Sequence, residues 1–309
     1  MIQDIAPHVF HNEYLPRPMG ATDAVVCCED SQILLNVTAG DTSVTFPHLS
    51  DFSADEQVHI ANSNPQYLFS IDETGYFSVS AQQLPFSALQ QAQPQDASQL
   101  QPAFRCASGQ LLRFCPVQIF RQQPDNATAH AIMVAYHLTS WMARSRFCGR
   151  CGAKTAPHPK ERAMQCSACG NLIYPQISPA VAVAVVDLPN DRILLAKGLG
   201  EFRKFALIAG FVEIGETVEE CVRREVFEEV GLKLGALHYY KSQPWGLTSI
   251  EMLGFFAELS GSDALRLQET EIAEARWFSR EQLSEAPVQS LSFTLIEAFR
   301  TGEYLRYLK

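Results

Sequence analysis

Three glutamates near the end of one predicted helix are the residues of this chain best suited to chemistry. They are Glu225, Glu228 and Glu229, and they follow a loop that runs from Gly210 to Glu216. At about 100° per residue, Glu228 and Glu229 lie at about 300° and 40° relative to Glu225, so the three carboxylates share one face of the helix. Neighbouring like charges repel, and a hard cation such as Mg²⁺ or Mn²⁺ would offset that repulsion.

The helix that carries these glutamates has sequence signals at both of its ends. Thr217 followed by Glu220 forms a capping box, and Gly231 stands where a helix would end, which predicts a helix from about Thr217 to Val230. A solvated acidic face is the alternative interpretation. It does not account for the pattern G-x5-E-x7-R-E-U-x-E-E-x-G-U, with U aliphatic, which the segment 210–232 matches at every fixed position.

This pattern is the Nudix box, and the chain resembles the Nudix hydrolases. The resemblance implies an α/β/α sandwich with a mixed sheet, and hydrolysis of a nucleoside diphosphate linked to another group. It also implies that Glu225, Glu228 and Glu229 bind the catalytic Mg²⁺ or Mn²⁺, and that one of them can act as base for water. Arg224 would orient and charge-balance the glutamates, and Glu216 would shape the loop.

Four cysteines form a second candidate metal site earlier in the chain. Cys148 with Cys151, and Cys166 with Cys169, make two C-x2-C pairs separated by 14 residues. Two such pairs can close a tetrahedral site for Zn²⁺. Because four thiolates leave no open coordination position, we predict that this zinc is structural. Redox sensing by these cysteines is the alternative.

The segment around these cysteines, from Trp141 to Tyr174 and here called the cysteine module, is basic, although the chain is acidic. Its 309 residues include 24 Lys and Arg against 34 Asp and Glu, and a net charge of −10 disfavours general binding to nucleic acids or anionic membranes. Between Trp141 and Tyr174, however, six basic side chains accompany a single acidic one, Glu161. A solvated face is one interpretation, and contact with a phosphate-rich ligand or RNA is the other. The six are Arg144, Arg146, Arg150, Lys154, Lys160 and Arg162.

The order of these parts resembles the bacterial NADH pyrophosphatases, a zinc-ribbon subfamily of the Nudix hydrolases. The resemblance implies hydrolysis of NADH or NAD⁺ to nicotinamide mononucleotide and AMP, a homodimer and, in some members, removal of NAD caps from RNA. It also implies a metal-binding backbone carbonyl at Ala209 and a further metal-binding glutamate at Glu271, with Glu274 as the competing candidate. Tyr174 would contact a base, or else pack the ribbon against the sheet.

A loop after the box departs from the subfamily pattern S-Q-P-W-P-F-P-x-S. The tetrapeptide 242–245 is intact, but Gly246 and the residues after it replace the two prolines and the phenylalanine. We therefore expect a looser loop through Gly246. Ser292 stands where the subfamily has alanine. By resemblance, the residues that line the nucleotide pocket are Gln243, Pro244, Trp245 and Ser292.

The altered loop keeps other functions open. One alternative is a Nudix hydrolase for another nucleoside diphosphate derivative, such as ADP-ribose or FAD, or for an NAD-capped RNA 5′ end. An alternative of another class is a non-catalytic nucleotide sensor or nucleic-acid-binding protein on the same fold. The complete set of glutamates favours the enzyme.

The whole sequence predicts an α/β (α+β) chain in three parts. These are an N-terminal mixed α/β domain over residues 1–143, a Cys₄ zinc ribbon over 144–174 and a Nudix domain over 175–309. No run of apolar residues is long enough to span a membrane, and the start of the sequence lacks the features of a signal peptide. We expect a cytoplasmic protein that does not bind membranes.

A few elements can be predicted in more detail. Ala180–Val186 is suited to a buried strand, and Arg192–Lys197 to its hairpin partner. Helices are expected at about 131–146 and 290–307. The Gln-rich stretch 82–101, which contains two prolines, predicts a surface loop or a short helix.

Overall fold

The chain folds into two compact units. The N-terminal unit consists of residues 2–176 with 246–248, and the C-terminal unit of Met1, 177–245 and 249–309. The three predicted domains, with boundaries after residues 143 and 174, stay a prediction. The structure is a computed structural model that describes residues 1–37, 43–84, 90–92, 103–200, 204–285 and 290–308.

In the described residues of the N-terminal unit, the strands form three sheets. Their strand orders are β1-β6-β7-β2, then β3-β4-β10-β9-β8 with β5 paired to β4, and β11-β12-β13 in the cysteine module. The pairing of β2 with β7 is parallel, and the other pairings are antiparallel. The strands are β1 (Phe10–His11), β2 (Ala24–Val26), β3 (Cys28–Glu29), β4 (Gln32–Val37), β5 (Val44–Thr45), β6 (Gln66–Ile71), β7 (Thr74–Ser78), β8 (Gln90–Ala92), β9 (Ala103–Arg105), β10 (Leu111–Pro116), β11 (Thr155–Pro157), β12 (Met164–Cys166) and β13 (Leu172–Ile173).

In the part of this unit that the structure describes, two α-helices accompany the sheets: α1 (Ala54–Asn62) and α2 (Asn126–Arg144). The helix expected from Ala131 begins earlier, at Asn126, because Asp125 caps it by accepting hydrogen bonds from two backbone N–H groups. In the Gln-rich stretch the structure describes a short 3₁₀ turn at Ala81–Gln83 and the strand β8. The rest of that predicted loop lies outside the described residues.

One mixed sheet forms the centre of the C-terminal unit. Its order is β17-β18-β14-β15-β19, with β16 paired to β14, and β14 runs parallel to β18. The predicted buried strand and its hairpin partner are confirmed as β14 and β15, whose pairing joins Val186 to Ile193. The strands are β14 (Ser178–Asp187), β15 (Arg192–Gly198), β16 (Ile208–Phe211), β17 (Lys233–Trp245), β18 (Ile250–Ser260) and β19 (Ile272–Ser279).

Two helices cover opposite faces of this sheet. Side chains alternate along β14, so Val181, Val183 and Val185 pack with α3 (Val218–Val230). The alanines between them pack with α4 (Leu291–Thr301) on the other face. The α/β/α sandwich with a mixed sheet is therefore confirmed. In the helices that the structure describes, none is long and apolar enough to cross a membrane.

Candidate active site and zinc site

The helix α3 places the three glutamates of the box at its C-terminal end. Thr217 caps its first turn by accepting a hydrogen bond from Glu220 N, and the Glu220 carboxylate accepts one from Thr217 N in return. Gly231 ends the helix with a φ of 74°, a left-handed conformation that favours glycine. The predicted capping box and helix end are both confirmed. Both signals depend only on residues that are close together in the chain.

Glu216, Glu225, Glu228 and Glu229 form an acidic cluster, and Arg224 lies at its centre. Its guanidinium donates two hydrogen bonds to Glu216, at 2.7 and 2.9 Å, and one each to Glu225 at 2.8 Å and Glu228 at 3.1 Å. It also donates to the backbone oxygen of Phe211 at 2.9 Å. These bonds connect α3 to the loop before it. The Arg224 guanidinium and the Glu213 N–H lower the pKa of Glu216 to about 2, so Glu216 is ionised at neutral pH.

Gly210 leaves room for the carboxylate of Glu225. It lies in β16, opposite Val181 in β14. A Cβ atom added at Gly210 would lie 1.9 Å from the Glu225 Cδ atom, so any side chain here would occupy the place of the carboxylate. The preceding residue, Ala209, is exposed and pairs with Ala182. Ala209 is thus the neighbour in β16 of Gly210, the residue that contacts Glu225.

Glu229 differs from the other two box glutamates because it is buried. Only 8% of its surface is exposed. Burial, followed by the negative charges of Glu225, Glu271 and Glu228, raises its pKa to about 7. The acidic cluster thus holds more negative charge than Arg224 neutralises, and oxygen ligands with such an excess fit a hard divalent cation.

The structure separates the two candidates for the additional glutamate. Glu274 forms ion pairs with Lys197 at 3.9 Å and with Arg276. Glu271 is exposed, and its charge acts on the buried carboxylate of Glu229. Of the two, Glu271 therefore lies with the acidic cluster and Glu274 belongs to an ion pair on β19.

Four of the cysteines in the N-terminal unit, Cys148, Cys151, Cys166 and Cys169, form the zinc site of the ribbon. Their sulfur atoms all lie within 4.8 Å of one another, and the shortest contacts are 3.5 Å, from Cys151 to Cys166 and to Cys169. A tetrahedral zinc with Zn–S bonds of about 2.3 Å needs sulfurs about 3.8 Å apart, so the four residues fit the ion. Backbone N–H groups of Cys169 and Ala168 lower the pKa of Cys166 to about 6, which favours the thiolate that zinc needs.

One of the six basic residues of this module does not belong to its surface. Arg162 donates hydrogen bonds to the backbone oxygens of Leu68 in β6 and of Asn12, and its guanidinium lies 5.5 Å from the ring centre of Tyr14. Burial lowers its pKa. Arg162 thus attaches the cysteine module to the N-terminal sheet, a role that its sequence context does not reveal. The basic residues that remain exposed are Arg144, Arg146, Arg150, Lys154 and Lys160.

Tyr174 lies at the end of the cysteine module with 54% of its surface exposed. Its hydroxyl donates a hydrogen bond of 2.6 Å to the carboxylate of Glu161. An exposed ring can stack on a base. Phe147, in the same module, is also exposed.

The loop after the box is a tight turn between two paired strands. Trp245 in β17 pairs with Ile250 in β18, and Ser249 has a φ of 58°. At Gly246 an added Cβ would lie 2.4 Å from the Met133 backbone oxygen of α2, so this glycine allows close packing. The expectation of a looser loop is therefore wrong at Gly246.

The predicted pocket residues differ in their accessibility. Gln243 is 2% exposed, and its side-chain oxygen accepts a hydrogen bond of 2.7 Å from Leu291 N at the start of α4. The structure thereby brings Gln243 to the helix turn that carries Ser292, which is half-buried. Pro244 is exposed and Trp245 is half-buried. Gln243 thus helps to position α4.

Two protein-family models match this chain. The model described as the NUDIX domain matches residues 178–299, and the NADH pyrophosphatase zinc ribbon domain matches residues 143–174. The first contains α3 and its acidic cluster, and the second contains the four cysteines.

Curated relatives agree with these matches. The NAD-capped RNA hydrolase NudC of Haemophilus influenzae (strain PittGG) is 40% identical over 163 residues, which cover 51% of this chain and 61% of that protein. The proteins of the same name from Stutzerimonas stutzeri and Pseudomonas aeruginosa (strain LESB58) are 40% and 37% identical, and the chain covers 65% and 67% of their lengths, with 58% and 61% of its own. The chain thus spans less than two thirds of the length of the first two relatives.

The chain belongs to the Nudix family. Within that family it carries the zinc ribbon of the NADH pyrophosphatases, directly before the Nudix domain. The resemblance inferred from the box and the cysteine pairs is therefore confirmed.

Proposed function

We propose that this chain is a Mg²⁺- or Mn²⁺-dependent pyrophosphatase that hydrolyses NAD(H) to nicotinamide mononucleotide and AMP. The observation that carries the proposal is the acidic cluster of α3 around Arg224, in a chain that also has the NADH pyrophosphatase zinc ribbon. The names of the curated relatives support an NAD-containing substrate. Loss of the metal-binding glutamates would remove the activity.

The residues of the cluster would have distinct roles. Glu225, Glu228, Glu229, Glu271 and the Ala209 carbonyl would bind the divalent ions, which neutralise the pyrophosphate and activate water when bound. Arg224 would hold Glu225 and Glu228 in place, as its hydrogen bonds indicate. Glu216 would anchor the loop through Arg224. The nucleotide would be bound by Tyr174, Gln243, Pro244, Trp245 and Ser292.

The organisation of the whole protein is part of the same proposal. We propose an N-terminal domain over 1–143, a ribbon over 144–174 and a catalytic domain over 175–309. By resemblance the protein would be a homodimer. All nine cysteines lie in the described residues and none forms a disulfide, which suits a reducing cytoplasm.

A substrate panel tests the proposal. Purified protein is incubated with NADH, NAD⁺, ADP-ribose or FAD in the presence of Mg²⁺ or Mn²⁺, and products are separated by chromatography. We expect AMP and nicotinamide mononucleotide, with the highest kcat/KM for NADH or NAD⁺. A higher kcat/KM for ADP-ribose or FAD would assign the altered loop to another nucleotide, and no hydrolysis of any of the four would contradict the proposal.

An NAD-capped RNA 5′ end is the second candidate substrate. Its support is the exposed basic surface of the ribbon, together with the exposed rings of Phe147 and Tyr174, because bound RNA needs cations for phosphates and flat side chains for bases. If the ribbon contacts RNA, kcat/KM for capped RNA should fall steeply with salt, while kcat/KM for NADH changes little. Exchange of Arg150 and Lys154 for Gln should reduce only the RNA activity. Equal salt dependence for both substrates would contradict this candidate.

A further inference from the structure

The segment after β18 is bound to the last turn of α3, where two of the proposed metal ligands lie. Arg266 N donates a hydrogen bond of 2.9 Å to Val230 O, and Gln268 N donates one of 2.9 Å to Glu229 O. The last four carbonyls of a helix have no partner within the helix, and the segment supplies partners for two of them. It therefore fixes the backbone of the helix turn that carries Glu229.

Gln268 also holds the segment that carries Glu271. Its backbone oxygen accepts hydrogen bonds from Glu271 N at 3.0 Å and from Ile272 N at 2.9 Å. Leu199 N in turn donates to Glu271 O at 3.0 Å. The backbone of one residue thus connects Glu229 in α3 to Glu271, which directly precedes β19.

Apolar packing keeps this connecting segment in place. Leu265 and Leu267 pack against the core that α3 covers, and Arg266 and Gln268 alternate with them. Within the described residues, the Gln268 side chain has no hydrogen bond. Its contribution thus comes from its peptide groups.

We propose that Gln268 is a positioning residue whose backbone sets the separation of Glu229 and Glu271, and thereby the affinity of the site for divalent ions. The inference rests on the proposed function, because it takes both glutamates as metal ligands. Two carboxylates that share a cation repel each other before it binds. A direct backbone connection between them keeps the site from opening.

Direct Mn²⁺ binding, measured by calorimetry and by electron paramagnetic resonance of the free ion, tests this inference. Gln268→Pro removes the N–H donor and should weaken Mn²⁺ binding about tenfold or more, the effect typical of partners behind the ligands. Gln268→Ala, which keeps the peptide groups, should bind Mn²⁺ like the wild type. Arg266→Pro is the matched control, because it removes the neighbouring bond to Val230, which is not a metal ligand.

A proline can also disturb the fold, so a second variant isolates the hydrogen bond. Replacement of residue 268 by the α-hydroxy acid analogue of glutamine converts the N–H into an ester oxygen. It should weaken Mn²⁺ binding to a similar degree. Wild-type affinity in this ester variant would overturn the inference.

Coupling to Glu271 separates positioning from general stability. In a Glu271→Ala background, Gln268→Pro should have no further effect on Mn²⁺ affinity, because one of the two ligands it aligns is gone. An equal loss with and without Glu271 would overturn the inference. Failure of the proposed function is a different result, in which wild-type protein neither binds Mn²⁺ nor hydrolyses a dinucleotide.

Discussion

The two candidate metal sites of this chain differ in how closely their ligand atoms are grouped. In the zinc site the four sulfurs lie within 4.8 Å of one another. Among the described residues, no other group of three or more ligating side chains comes so close together. In the glutamate site, Arg224 draws the carboxylates of Glu225 and Glu228 to itself.

The chemistry of the ligands explains this difference. Neutral thiols can pack together before they release protons to a metal, whereas ionised carboxylates repel at short distance. An arginine among them offsets part of the repulsion and keeps the cluster from dispersing. The thiols can therefore come together closely, whereas two of the glutamates are held in place by an arginine.

The largest expected effect is loss of zinc. Cys148→Ser removes one of the four sulfur ligands and should reduce the zinc content, measured by mass spectrometry, to a small fraction of the wild-type value. Because a structural zinc contributes on the order of 10 kcal/mol to folding, hydrogen exchange in β11 to β13 should become fast. Cys28→Ser, outside the cluster, is the control. Full zinc content in Cys148→Ser would show that four thiolates are not required.

A smaller effect is expected in the glutamate site, on activity rather than on folding. Glu225→Gln should lower kcat/KM for NADH on the order of 10³-fold, as loss of a key electrostatic group does. Zinc content and melting temperature should remain unchanged. Glu219→Gln makes the same charge change in the exposed first turn of α3, and it should retain activity. Activity near wild type in Glu225→Gln would contradict the proposed metal-binding role.

The smallest effect concerns stability and pH. Burial raises the pKa of Glu229 to about 7, above that of the unfolded chain. The unfolded state loses this proton first, so without added Mg²⁺ or Mn²⁺ the stability of the wild type should fall as pH rises from about 4.5 to about 7. Glu229→Gln cannot ionise. At pH 8 it should therefore be more stable than the wild type by about 1–3 kcal/mol, although inactive.

Denaturant unfolding from pH 5 to pH 8 measures this difference. Glu228→Gln is the comparison, because its side chain is 51% exposed and should show no such gain. If wild type and Glu229→Gln have the same pH dependence, Glu229 does not carry the buried charge. The contrast between the zinc site, which is expected to stabilise the fold, and the glutamate site, which is expected to destabilise it at high pH, would then no longer hold.

The parts that the sequence predicted well depend on short-range rules. The capping box of Thr217, the helix end at Gly231 and the spacing of the cysteine pairs all follow from residues close together in the chain. The buried strand β14 does as well, because a strand that is covered on both faces is a continuous apolar run.

What the sequence did not predict depends on contacts between distant residues. The resemblance favoured Glu271 over Glu274, and the pairing of Glu274 with Lys197 and Arg276 supports that choice through contacts that the sequence does not show. The inward position of Arg162 follows from contacts with Leu68 and Asn12, far away in the chain. Gly246 suggested flexibility because glycine has two opposite uses, free motion and close packing.

The contact between Gly210 and Glu225 provides a way to displace a proposed metal ligand without altering the charge of the protein. The methyl group of Gly210→Ala would occupy the place of the carboxylate, and the flexible Glu225 side chain can turn away while β16 keeps its pairing with β14. Every glutamate would still be present, so the surface potential that attracts a cation or repels a phosphate would be preserved. Under the proposed function, such a variant would hold its dinucleotide uncleaved and would serve as a trap for substrates in a cell extract.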